Sequence, residues 1–96
     1  MPTYVVLYRF TEQGLKNSKD TVRRAKETRA NNEQRGFKVH QVLWTQGQYD
    51  IVAVVEAPDE AAMMAGALNV CGEGNVRSET LRAFSDTEME AVLSRS

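Results

Sequence analysis

Residues 42–58 read VLWTQGQYDIVAVVEAP. Two runs rich in Val, Ile, Leu and Trp flank the polar stretch Thr45-Gln46-Gly47-Gln48. β-Branched and aromatic residues suit the pleated backbone of a strand, and a glycine between two such runs supplies a turn. The segment predicts a hairpin, with strands over 37–45 and 49–56 and the turn at Gln46-Gly47. Pro58 cannot continue the ladder, and Asp59 is a natural N-cap, so a helix should follow at once.

Working outward from the hairpin, residues 3–10 make a first strand. One face carries Tyr4, Val6, Tyr8 and Phe10, the other Val5, Leu7 and Arg9. Residues 15–35 turn helical, with Leu15, Val22, Ala25 and Arg29 on one broad face and Gly36 as the stop. In the second strand, simple alternation puts Phe37, Val39, Gln41 and Leu43 on one face. Lys38, His40, Val42 and Trp44 fall on the other. A helix over 60–69 should turn Ala61, Met64, Ala65 and Leu68 to the core. A glycine-bearing loop over 69–75 and a strand over 76–84 come next. Ser85-Asp86-Thr87-Glu88 has capping-box spacing before a terminal helix that Met89, Val92 and Leu93 would anchor.

The order β-α-β-β-α-β plus a C-terminal helix is an α+β, ferredoxin-like split βαβ arrangement in one domain, 1–96. Two helices cover one sheet face. The other is also apolar and calls for a partner, which a homodimer packing sheet on sheet would supply.

The chain has 96 residues and a formal charge of −1, from 12 basic and 13 acidic side chains. That balance gives no support for a nucleic-acid wrapper or a polybasic membrane module. The basic residues between 16 and 38 are interleaved with Asp20, Glu27 and Glu33, the pattern of a solvated helix face. Neither a secretory signal nor a bilayer-spanning run is present. Cys71 is the single cysteine, so a reducing compartment, the cytoplasm, is expected. One histidine, one cysteine and no acidic ligand spacing give no metal or haem site, and no cofactor is expected.

The candidate chemistry centres on the hairpin. His40 is the only histidine and would serve as a general base in the space between sheet and helices, with Trp44 as an apolar wall. Tyr49 and Asp50 complete a candidate catalytic set. Asp50 has a structural reading too, accepting backbone hydrogen bonds beside the turn, or pairing with Arg77 or Arg82. Arg9, Arg77 and Arg82 interrupt apolar strands and can clamp an anionic ligand or pair with Glu56 or Glu79. Cys71 falls in the glycine-bearing loop, where a small packed residue is the plain reading.

Four stretches together resemble the GYD-domain family of small bacterial and archaeal proteins. They are Tyr8-Arg9-Phe10-Thr11-Glu12-Gln13-Gly14, Gly47-Gln48-Tyr49-Asp50, Val55-Glu56-Ala57-Pro58-Asp59 and the run from Gly74 to Phe84. The Tyr-Asp of the family's name maps onto Tyr49 and Asp50, with Gln48 separating them from Gly47. The resemblance implies a dimeric α+β barrel, and larger homo-oligomers as an extension of it, but it supplies no settled activity. Small-molecule binding or regulation through a barrel pocket is the first functional expectation. A cofactor-independent enzyme using His40 is the second, and a purely self-assembling protein the third.

Overall fold

Strand alternation sets the core. The computed structural model describes residues 1–96, and in it Tyr4 and Val6 of β1 (Thr3–Phe10) are buried on one face together with Ala53 and Val55 of β3 (Ile51–Glu56). Phe37, Ala57 and Met63 close the cluster, and Val39, Val42 and Tyr8 pack at its margin. With β2 (Lys38–Trp44) and β4 (Val76–Ala83), the strands form one antiparallel sheet in the order β2-β3-β1-β4. This is the expected ferredoxin-like α+β topology.

The barrel is not there. β2 and β4 are the two free margins of an open sheet and do not pair with each other. Small closed barrels take about eight strands, and four with ordinary twist leave their margins far apart. The expectation of a dimeric α+β barrel is corrected accordingly to an open four-stranded sheet.

The helices that pack on the sheet lie on one face. α1 (Glu12–Lys16), a 3₁₀ turn (Ser18–Asp20) and α2 (Thr21–Gln34) replace the single helix read over 15–35. The break falls at Asn17-Ser18, residue types that compete with the helix for backbone hydrogen bonds. The Asn17 carbonyl accepts from Asp20 N at 3.1 Å and from Arg24 Nη1 at 2.7 Å. Thr11 caps α1, accepting from Gly14 N at 3.1 Å and donating to the Gly74 carbonyl at 2.6 Å. A Cβ on Gly14 would sit 2.0 Å from the Asn75 carbonyl oxygen, so close approach of two backbones requires glycine there.

α3 (Glu60–Gly72), capped by Asp59, runs three residues beyond the expected 69 and carries Cys71 on its last turn. Its phase also differs. Met63 and Gly66 face the sheet, whereas Met64 and Leu68 are each 62% exposed. The aromatic ring of Phe37 fixes that phase, lying 3.4 Å from where a Cβ on Gly66 would be. α4 (Asp86–Ser94) has the full capping box between Ser85 and Glu88, yet Met89, Val92 and Leu93 remain exposed. They anchor nothing on this chain.

α2 leans on β2 and α3 on β4, so the helix layer is split above the central strands. The slot holds about 90 Å³ and is lined by residues including Tyr8, Ala25, Ile51, Ala53 and Val70. Metabolite-sized sites run to several hundred Å³. The expected small-molecule function through a barrel pocket is corrected on both counts: there is no barrel, and none of the residues nominated for ligand contact lines the slot.

Candidate functional site

The sheet face turned away from the helices carries the chain's most extensive uncovered chemistry. Cross-strand register places Leu43, Val52 and Leu7 in one row across it, and Gln41, Val54, Val5 and Leu81 in the next. Val5, Leu7, Val52 and Val54 are half-buried, while Leu43 and Leu81 are 49% and 45% exposed. The apolar patch thus steps diagonally across the sheet from Leu43 to Leu81, with Gln41 on β2 and Glu79, the register partner of Leu7, at its flanks.

Charged groups close both ends. At one end, Arg9 and Arg77 are register partners, and the Arg9 guanidinium lies 4.9 Å from the centre of the Tyr49 ring. The Tyr49 hydroxyl donates to Glu79 Oε2 at 2.6 Å. That bond holds the Tyr49 phenol above its usual range, with Arg9 opposing. At the other end, His40 Nε2 lies 2.5 Å from Glu56 Oε2, beside Lys38, the register partner of Glu56.

A β-bulge puts His40 there. The β2–β3 register shifts between Val39 and Gln41, so His40 is the extra residue and alternation restarts after it. Val39 and Val42 both reach the core, and Gln41 and Leu43 turn outward. His40 thus faces Glu56 at the margin of the open face, not the space between sheet and helices. Period-two reading cannot see a bulge, because the extra residue leaves no compositional mark.

The remaining candidates are scattered. Asp50 Oδ2 accepts from Phe10 N at 2.8 Å, and Asp50 N donates to the Tyr8 carbonyl at 2.8 Å. Its carboxylate makes no ion pair with Arg77 or Arg82. Trp44 donates from Nε1 to Thr21 Oγ1 at 3.1 Å, pinning the start of α2. Arg82 stacks on Phe84 at 4.5 Å and donates to the carbonyls of Thr3, at 3.2 Å, and Ala83. His40 and the Tyr49–Asp50 pair sit at opposite ends of β3, separated by roughly 17 Å of strand. The structure brings together Arg9, Tyr49 and Arg77, and holds His40, Asp50, Trp44 and Arg82 apart. Glu79 and Glu56 hold Tyr49 and His40, whereas the sequence pattern offers them only as partners for arginine. Strand register is the signal that would have placed them correctly.

No group of three or more His, Cys, Asp or Glu side chains stands ready to hold a metal ion. No helix is long and apolar enough to cross a membrane.

The GYD-domain model matches residues 4–93. The chain belongs to the GYD-domain family. Placement of that family membership inside a closed-barrel group does not hold for this chain, whose sheet is open. This GYD domain is also similar to the glutamine synthetase and cystathionine beta-lyase binding protein of Thermus thermophilus. The two are 33% identical over 94 residues, covering 97% of this chain and 99% of the relative. No solved structure matches the chain.

Proposed function

We propose that this GYD domain is a protein-binding module that docks a metabolic enzyme on its helix-free sheet face. The observation that carries the reading is the apolar diagonal from Leu43 through Val52, Leu7, Val54 and Val5 to Leu81, bordered by polar and charged groups. An apolar centre with a polar rim is the anatomy of a protein interface. The relative similar to it along nearly its whole length is named for binding two enzymes, glutamine synthetase and cystathionine beta-lyase.

Magnitude refines the proposal. Strands about 4.8 Å apart and some seven residues long give a face of roughly 400–450 Å² before side-chain relief. Stable interfaces take about 800 Å² from each partner. Docking on this face alone is therefore weak and reversible, as suits a regulator of enzyme activity. In this reading the chain works as a homodimer in the cytoplasm, where the free Cys71 thiol stays reduced.

Titration of the full chain with glutamine synthetase and with cystathionine beta-lyase from the same source, by calorimetry, tests the reading. Leu43→Glu with Leu81→Glu should weaken binding at least tenfold while circular dichroism stays unchanged, since both side chains are half exposed. Failure of the wild type to bind either enzyme overturns the proposal. So does a double variant that binds as the wild type does. A variant that turns a dimer into a monomer with enzyme binding intact would assign the face to a second copy instead.

A further inference from the structure

Two uncommitted cations stand on the border of the open face beside the hairpin. Arg9 of β1 and Arg77 of β4 are direct cross-strand partners, and both residues are exposed. Side chains directly opposite on neighbouring strands have Cβ atoms about 5 Å apart, and like charges placed there repel. The chain's ion pairs belong to Arg23, Arg29 and His40, so neither guanidinium meets a carboxylate.

The acids nearest in register are already engaged. Asp50, just before β3, accepts the Phe10 N–H on its Oδ2 at 2.8 Å. Glu79, two residues along β4 from Arg77 and on the same face, accepts the Tyr49 hydroxyl at 2.6 Å. The Arg9 guanidinium lies 4.9 Å from the centre of the Tyr49 ring, which holds that cation over an aromatic face and not over an acid. The four charges cancel in number, yet each acid is bonded inside the fold and each arginine is left without an ion pair. The opposite border differs. There His40 Nε2 and Glu56 Oε2 are 2.5 Å apart, so base and acid answer each other within the chain.

We propose that Arg9 and Arg77 seat an acidic side chain of the docked enzyme, so that the surface recognised carries a carboxylate beside apolar residues. The inference rests on the docking reading above and names what that face selects. Arginine's planar fork fits a carboxylate through paired N–H···O bonds, and one carboxylate between two guanidiniums relieves their repulsion. Leu7 lies two residues from Arg9 on the same strand face, about 7 Å away. The enzyme's acid and its nearest apolar neighbour therefore stand about 7 Å apart, two residues of a strand or a little over one helical turn. Because the far border is internally paired, this acid also fixes which way round the enzyme lies along the apolar diagonal. The chain's overall charge is −1, so the selection is local and not a general attraction for anions.

Calorimetric titration of the full chain with glutamine synthetase and with cystathionine beta-lyase from the same source, at about 50 and 300 mM salt, tests the inference. At the lower salt Arg77→Gln should weaken binding about threefold or more, and Arg77→Lys by less. Glu79→Gln keeps an acceptor for Tyr49 and removes an opposing charge, so it should tighten binding. Both differences should shrink at the higher salt. In the free chain, Arg77→Gln should leave the thermal midpoint unchanged or raise it, since one of two opposed like charges is gone. Arginine variants that bind as the wild type does overturn the inference. So do the opposite signs at Arg77 and Glu79, which would mark a basic partner. Lost binding with a lowered midpoint overturns it too, by assigning Arg77 to the fold. Those three outcomes strike this inference alone, whereas a wild type that binds neither enzyme removes the docking reading along with it.

Discussion

Asp50 does for β1 what one more residue of β3 would otherwise do. The β1–β3 ladder ends where Tyr8 meets Ile51, and the Phe10 N–H beyond it would lack a partner on that side. The Asp50 carboxylate takes that N–H at 2.8 Å, while Thr45 ties off the turn by donating to the carbonyls of Asp50 and Tyr49. Asp50→Ala should cost about 1–2 kcal/mol, read as a lower urea midpoint with unchanged slope. Tyr8 sits deeper, against the slot, where burial, with neighbouring Cys71 adding to it, pushes its phenol up to about 12. The unfolded chain releases that proton near 10, while the folded chain keeps it until about 12. The contribution is complete below about pH 10 and is lost as pH rises through about 12. It amounts to something on the order of 2–3 kcal/mol. Tyr8→Phe should flatten the alkaline limb of a stability-against-pH curve between those two values. An unchanged limb would count against burial as the cause. Asp50's backbone role is one of three readings that its place beside a glycine turn leaves open, with catalysis and an arginine pair. Its partner is not legible there, because Phe10 lies forty residues away.

At the scale of elements, the joint between α1 and the α3–β4 loop is the tightest constraint in the chain. Thr11 N donates to the Asn75 carbonyl at 3.0 Å, and Gln13 Nε2 reaches the Glu73 carbonyl and the Asn75 side chain. Gly14→Ala drives a Cβ into backbone and should cost on the order of 1–3 kcal/mol. Gly72→Ala, with open space around it at the end of α3, should cost nothing measurable or stabilise slightly. Matched urea titrations separate the two, and equal losses would mean that the joint yields. The elements themselves were legible from composition: four strands, the Asp59 and Ser85 caps, the Gly36 stop. What was illegible was phase. The bulge at His40 re-aims half of β2, and Phe37 selects Met63 over Met64. Both are set by contacts between segments distant in sequence.

For the whole molecule, patterning on both faces of β1 and β3 already foretold a sheet with one face in need of cover. It did not foretell that the sheet stays open, since closure depends on how the margins lie and not on which residues are apolar. Nor does it separate a helix whose apolar stripe is covered from one whose stripe is left bare, as in α4. In the proposed homodimer the docking face would be presented twice, and a second contact with an enzyme of more than one subunit would become intramolecular.

The two free margins carry a further consequence. A bare strand edge is a template on which another chain can lay a strand, and repetition of that step has no natural end. Here β2 is interrupted by the His40 bulge and begins at Lys38, while β4 shows Arg77, Glu79 and Arg82 to solvent. A neighbour's strand would meet a kinked, charged border at either side. Growth of the sheet sideways into ribbons or fibrils is thereby discouraged, and crowding the cell with this small protein carries little risk of turning it into a filament.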